Sequence, residues 1–440
     1  MAQSSIKSTV TDSGGRFEER SGIVAGATAA RKAAIEIHTS DERQPILGYG
    51  AAFTDAACYN ISRLPQAERL ALLNELLASD QMSLDVARCC VAQSDYGRVR
   101  YSYDDTPDDL DLKDFSLDYD REYIIPTILE ARAIRPDLFL LSSPWSPPGW
   151  MKTTETMLGG WMRDKYVGVF ANYYLKYLQG YADAGIKIDA LTPQNEVETD
   201  QGGNMPASYL HPDIEVSFVR DHMGPLLKKH GMDVDIWMLD HNYDLWKRAA
   251  WMLQQEGMDE YSTSIAFHGY VGTADMMKKV TDAVPTAKLY WTEGGPMYNE
   301  PDYLNGWCRW AKTITETMNY GCRCFIGWNF ALDQVGRPNI GPFHCGGVVT
   351  IHSETQKITR SGQYYALGQF SKFVKRGAVC LGSSTDAEDI GQVAFRNPDG
   401  GLVLVVTNPG NTRTVALKAG RTTADLTLGA NSVSTFTWID

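Results

Sequence analysis

Leu191-Thr-Pro-Gln-Asn-Glu-Val-Glu198 and Leu289-Tyr-Trp-Thr-Glu-Gly-Gly295 are short, apolar, β-prone runs that each stop at a carboxylate, Glu196 in the first and Glu293 in the second. Polar or turn-forming residues follow both. Two acids at the ends of two strands far apart in sequence suggest an active site. Cleavage of a glycosidic bond needs such a pair: one carboxylic acid protonates the leaving oxygen while a second carboxylate attacks the anomeric carbon or activates water. In a barrel of alternating strands and helices, side chains at the C-terminal strand ends converge on one face, so distant positions meet. Taken singly, a Glu at a strand end is more commonly a cap or loop carboxylate.

Working outward, short β-prone runs alternate with longer amphipathic segments from Ile46 onward, the pattern of repeated βα units. The candidate strands are Ile46 to Tyr49, Leu84 to Cys90, Leu138 to Ser142, Ala190 to Pro193, Val234 to Leu239, Ser264 to Phe267, Lys288 to Thr292 and Cys324 to Trp328. Eight such runs predict an α/β fold, a closed (β/α)8 TIM barrel. Between them, Pro65 to Leu77 reads as a helix with Leu70, Leu73, Leu76 and Leu77 on one face. Tyr166 to Ala184 reads as another, whose aromatic stripe (Phe170, Tyr173, Tyr174, Tyr177, Tyr181) is a packing surface.

Both ends of the chain read differently. Ile23 to Ala25 and Ala33 to His38 are β-like runs without visible chemistry. After Phe373 the helical signal gives way to Val393 to Phe395, Leu402 to Thr407, Thr414 to Leu417 and Ser432 to Trp438, separated by Asn, Pro and Gly turns. Residues 1–45 are too few to fold alone. The expected organisation is therefore residues 1–45 and 374–440 forming one antiparallel β-sandwich from both termini, around a catalytic barrel of residues 46–373.

Composition narrows the function. A formal net charge of -13 and the absence of any Lys/Arg run argue against nucleic acid as a partner. Eleven Trp and 22 Tyr suit stacking on the apolar faces of sugar rings, and also suit a large core. The N-terminus lacks an apolar run of signal-peptide length and no later run is long enough to span a bilayer. A soluble, cytoplasmic chain without stable membrane insertion is expected, with secretion the alternative if a leader was trimmed; oligomeric state is not legible. The eight Cys read as buried thiols, since Cys322-Arg-Cys324 has the wrong spacing for a redox pair and no ligand set for zinc stands nearby. Neither cofactor nor metal is expected.

Longer motifs sharpen the reading. Asn195 directly precedes Glu196. Gly48-Tyr-Gly-Ala-Ala-Phe-Thr-Asp55, Thr106-Pro-Asp-Asp109 with Phe115-Ser-Leu117, Ser143-Pro-Trp-Ser-Pro-Pro-Gly-Trp-Met-Lys152 and Leu367-Gly-Gln-Phe-Ser-Lys-Phe373 follow in order along the chain. Together they resemble glycoside hydrolase family 30, the glucosylceramidase family of retaining β-glycosidases. The resemblance implies Glu196 as general acid/base with a raised pKa, Glu293 as ionised nucleophile, and Asn195 as the partner of the sugar 2-hydroxyl. It also implies Arg88, His268 and Tyr270 around the nucleophile, Asp95 as acceptor for sugar hydroxyls, and Trp150 and Trp328 as pocket walls. Asp55 is family-like as well, or a helix cap. Three departures concern substrate: Asp333 to Cys345 does not follow the lysosomal glucosylceramidase pattern, Gln194-Asn-Glu-Val197 stands where Asn-Glu-Pro is more familiar, and Gly269 stands where those enzymes carry a bulky aromatic, which implies a wider site.

The expected partner is a small-molecule glycoside or oligosaccharide, and the expected activity is exo-acting retaining β-glucosidase chemistry. Alternatives are an endo-β-1,6-glucanase or β-xylosidase on the same scaffold, a non-catalytic carbohydrate-binding protein, and, less favoured without an HExxH-like spacing, a metal-dependent hydrolase.

Overall fold

The computed structural model describes residues 5–24 and 34–439. Three strands precede the barrel: β1 (Ser5–Thr11), β2 (Glu18–Val24) and β3 (Ala34–Pro45). The sequence reading missed β1, whose run is rich in Ser and Thr. Ala25 and Ala33, the ends of the two expected runs, lie outside the described residues.

Eight parallel strands then close the barrel: β4 (Gly48–Phe53), β5 (Val86–Cys90), β6 (Phe139–Ser143), β7 (Ala190–Leu191), β8 (Asp235–Asn242), β9 (Ser264–His268), β10 (Lys288–Glu293) and β11 (Cys322–Gly327), with β11 pairing back onto β4. The first strand lies later than Ile46 to Tyr49, because barrel closure demands small residues that propensity disfavours. A Cβ on Gly50 would lie 1.6 Å from the Val86 carbonyl oxygen of the next strand. Inside the barrel, Trp237 stacks on Tyr290 with centroids 3.7 Å apart, packed among Val86, Leu141, Ala266 and Ile326.

The outer helices follow their sequence signals with one change of face. In Gln66–Leu77, Leu72, Leu73, Leu76 and Leu77 are buried while Leu70 is 37% exposed, so Leu72 takes the place expected of Leu70. In Val167–Asp183 the whole aromatic stripe is buried.

A three-stranded sheet, β12 (Ala331–Leu332), β13 (Val349–Ile351) and β14 (Ile358–Arg360), follows the barrel. Then come β15 (Val379–Thr385), β16 (Gly391–Arg396), β17 (Leu402–Asn408), β18 (Arg413–Ala419), β19 (Thr422–Leu428) and β20 (Ser432–Trp438). With the N-terminal strands they form one nine-stranded sheet in the order β19-β18-β3-β15-β16-β17-β20-β1-β2. Strands β2 and β19, at its two ends, contact each other, so the sheet curls around its own core of Ile35, Leu404, Leu417, Leu426 and Phe436. The domain is not wholly antiparallel, since β3 runs parallel to β18. The other face of β17 turns Val403 and Val405 toward the core shared with the barrel helices. There the Trp307 indole donates to the Asn431 carbonyl at 2.8 Å. All eight cysteines are buried and unbridged.

Candidate active site

At the C-terminal ends of the barrel strands lies a pocket of about 330 Å³ whose lining includes Asp95, Trp145, Glu196, Tyr270, Glu293 and Trp328. Glu196 follows the short β7 in a left-handed conformation, φ 51°, with its N–H donating to the Asp240 carbonyl at 2.9 Å. A non-glycine residue held there stores backbone strain of the kind that collects at functional sites. Its carboxylate accepts from Gln201 at 2.8 Å and meets His268 Nδ1 at 3.3 Å. Glu293 ends β10 where the pairing with β9 shifts register. It accepts from Arg88 Nη1 at 2.5 Å and from the Tyr270 hydroxyl at 2.9 Å. Arg88 also donates to Asn195 Oδ1 at 2.6 Å, which ties the residue before Glu196 to the guanidinium that holds Glu293.

Beneath both acids sits Asp240, fully buried at the end of β8. Leu239 and Asp240 are both left-handed, and the pairing of β8 with β9 shifts between Leu239 and His241, a bulge that re-aims the strand end. Asp240 accepts from Arg88 at 2.7 Å, Ser143 at 2.9 Å, Thr192 at 2.8 Å, Thr292 at 2.7 Å and His268 Nε2 at 3.1 Å. Five donors from five barrel strands or strand ends thus converge on one carboxylate.

These contacts set the charges. Burial opposes ionisation of Asp240, yet Arg88, then His268 and Thr292, hold its carboxyl far below the usual range. Burial would discharge His268, but the surrounding Glu293, Asp240 and Glu196 raise it to about 9. His268 is therefore a cation at neutral pH, donating from both ring nitrogens. Glu196 is also pushed up by burial, but the His268 hydrogen bond and charge outweigh this and leave it below its ordinary value. Glu293 is raised, first by burial and further by the charge of Glu196, against the pull of His268 and Arg88. The sequence reading expected Glu196 raised, and it is lowered instead; Glu293, expected as the ionised nucleophile, is the member of the pair whose pKa burial raises. The reason is that the site's acidic proton lies on His268, against Glu196, instead of on Glu196 itself.

Asp95 is 3% exposed, and its Oδ1 has no hydrogen-bond partner within the protein while it lines the pocket. Burial and the charge of Glu293 push its pKa well up. Trp328 forms a wall, stacked on Trp145 with centroids 5.0 Å apart and with the Arg88 guanidinium over both rings. Trp150 does not line this pocket. Five residues further along the same loop, it points into a neighbouring cavity, and its indole N–H donates to the Asp104 carbonyl at 3.0 Å. Trp145 takes the place expected of it. Tyr270 is 46% exposed at the rim although its hydroxyl reaches Glu293. Thr54, not Asp55, caps the helix Asp55–Ser62. Asp55 instead accepts from Tyr119 at 3.1 Å and from Tyr123.

The divergent segment after the barrel's last strand builds one side of the pocket through Phe343 and Cys345. Its Ile340 N–H donates to the Asp95 carbonyl at 2.8 Å, and Cys345 N–H donates to the Tyr96 hydroxyl at 2.8 Å. Gly269 packs so closely that a Cβ would lie 2.8 Å from Trp291.

Asp240, His241 and Trp145 escaped the sequence reading. Asp235-Ile-Trp-Met-Leu-Asp-His-Asn242 is an apolar run closing on polar residues, the same signal that singled out Glu196 and Glu293. His241 Nδ1 lies 3.8 Å from Glu196 and is 7% exposed, kept neutral by burial. Glu196, His241 and His268 each present a potential ligand atom within 4.8 Å of the others.

Comparison with known proteins bears on this geometry. Residues 46–374 match the glycosyl hydrolase family 30 TIM-barrel domain, and residues 377–436 match the glycosyl hydrolase family 30 beta sandwich domain. The chain is 33% identical over 400 residues to an endo-1,6-beta-D-glucanase of Neurospora crassa, spanning 87% of this chain and 82% of that protein. It is 28% identical over 423 residues to the lysosomal acid glucosylceramidase of Mus musculus, spanning 90% and 81%. A solved endo-beta1,6-glucanase superposes with a TM-score of 0.89 at 25% identity, over 100% of both chains. By its barrel, its terminal sheet and these relatives together, the chain belongs to glycosyl hydrolase family 30 and is a glycoside hydrolase.

Proposed function

We propose that this glycoside hydrolase is a retaining endo-β-1,6-glucanase, with Glu293 as nucleophile and Glu196, served by His268, as acid/base. The observation that carries the chemistry is the pair of glutamates lining one pocket, Glu293 gripped by Arg88 and Tyr270, and Glu196 joined to a protonated imidazole. Glu293, as the anion, forms an ester bond to the anomeric carbon as the bond to the departing sugar breaks. The departing oxygen takes a proton that His268 Nδ1 passes through Glu196, which leaves Glu196 a carboxylate and His268 neutral. Water then attacks the anomeric carbon, its proton returning through Glu196 to His268, and Glu293 leaves as a carboxylate with the β configuration kept.

The sequence alone favoured trimming of terminal glucosides. The preference for cutting within a β-1,6-linked chain rests on the relatives named endo-1,6-glucanase and on the departure of residues 333–345 from the glucosylceramidase pattern, since that segment lines the pocket. A second reading, glucosylceramide hydrolysis, is supported by apolar exposure at the mouth: Tyr270 46% and Phe343 39%. The deciding experiment offers a β-1,6-glucan, glucosylceramide and an aryl β-glucoside in parallel. Internal cleavage of the glucan, with a β-anomeric first product by NMR, is the expected result. Hydrolysis confined to glucosylceramide and the aryl glucoside would replace the first reading with the second.

A further inference from the structure

A second cavity, of about 560 Å³, opens on the same face of the barrel between the segments that follow β5 and β6. Its lining includes Arg100, Tyr101, Asp105, Gly149, Trp150 and Arg163. The Trp150 indole N–H is already satisfied by Asp104, and the ring stands edge-on to Tyr166 at 5.0 Å. Trp150 is 8% exposed and packed into the core, so what it offers the cavity is a narrow apolar strip of ring against which C–H groups of a sugar can lie. At the rim, Arg163 pairs with Glu155 at 3.1 Å, with 31% and 74% of their side chains exposed. Such an exposed pair is weakly held and can turn its donors and acceptors to hydroxyl groups.

The two cavities are built by the same two segments. Asp95 and Trp145 line the catalytic pocket, and Arg100 and Trp150, five residues further along in each case, line the second cavity. Five residues of chain span at most about 18 Å, so the cavities are neighbours along one face. The segment between them is rigidly set. Lys152 Nζ donates to Ser146 Oγ and to the Met157 carbonyl at 2.9 Å each, and to the Ala207 carbonyl at 2.5 Å, fastening both arms of the loop and its neighbour. A Cβ on Gly149 would come within 2.9 Å of the Thr156 backbone. A cavity held open by packing and buried hydrogen bonds binds without first being ordered.

We propose that this cavity is a remote subsite that takes a sugar unit of the same β-1,6-glucan several positions from the bond being cut. This deepens the function proposed above and rests on it. The test is a series of β-1,6-gluco-oligosaccharides of increasing length with an aryl β-glucoside as reference, on the wild type, Arg100→Ala, Arg163→Ala and the double variant. For the wild type, kcat/KM should keep rising beyond the trisaccharide. In the variants, the ratio of kcat/KM for the longest oligosaccharide to that for the aryl glucoside should fall about tenfold, the loss of one hydrogen bond to a charged group, while the same ratio for the disaccharide stays put. A ratio unchanged at every length, even in the double variant, overturns the subsite and leaves the glucanase reading standing. A wild type active on the aryl glucoside and inert toward every oligosaccharide removes that reading, and the subsite with it.

Discussion

His268 presents Nδ1 to Glu196 Oε1 at 3.3 Å, and its other nitrogen is held by the buried Asp240 at 3.1 Å. With His268 raised to about 9 and Glu293 raised by burial, the active ionisation state needs His268 protonated and Glu293 deprotonated. The pH profile of kcat/KM should be a bell whose acid limb lies above the ordinary glutamate range and whose alkaline limb lies near 9. His268→Gln should lower the alkaline limb and cut kcat by roughly 10²-fold or more, as for loss of a general acid. An alkaline limb unmoved in that variant would remove His268 from proton delivery.

Glu293→Gln should abolish turnover and leave the thermal midpoint close to that of the wild type. Glu196→Ala should still form the glycosyl-enzyme from substrates with good leaving groups, and azide should rescue it to give a β-glycosyl azide. An α-azide, or full activity in Glu293→Gln, contradicts double displacement.

Asp240 touches no pocket surface, yet Arg88 and His268 both lean on it. Asp240→Asn should cost about 3–5 kcal/mol, the range for breaking a buried ion pair from one side. Thr292→Val removes one neutral donor to the same carboxylate and should cost about 1–2 kcal/mol. Chemical denaturation measures both, and equal costs would mean that Asp240 is not the electrostatic hub.

The same pair gives stability a definite dependence on pH. His268 is raised on folding, so the stability it contributes is complete below its unfolded pKa of about 6.5 and is lost as pH climbs through about 9. Asp240 is depressed, so its contribution is present above about 4 and disappears in acid. Thermal midpoints should fall on both sides of a neutral plateau. His268→Gln should flatten the alkaline side and, because His268 helps hold Asp240 down, soften the acid side to a lesser degree, and an unaltered alkaline slope in that variant would refute the assignment.

Much of this was legible in the sequence because strands that end on acids are locally marked. Glu196, Glu293 and the eight-strand rhythm around them follow from apolar runs and the residues that stop them. What escaped has physical reasons. β4 was read too early, at Ile46 to Tyr49, because its own run is largely glycine and alanine, and at Gly50 the Val86 carbonyl of β5 leaves no room for a Cβ. Asp240 and His241 lie in a bulged strand end, where period-two alternation fails. Trp145 and Trp150 share one loop, and only three-dimensional packing decides which of them faces the reacting sugar. The lowering of Glu196 depends on a histidine between two carboxylates, a matter of distances that spacing does not encode.

The pairing of β1 with β20, Ser8 opposite Phe436, has a bearing on biosynthesis. β1 leaves the ribosome long before β20, the strand it pairs with, and throughout that interval the barrel helices that pack against β17 and β20 lack their cover. Long-range pairings of this kind form late and slowly. A nascent chain arrested short of residue 432 would leave β1 and β17 without the strand that joins them.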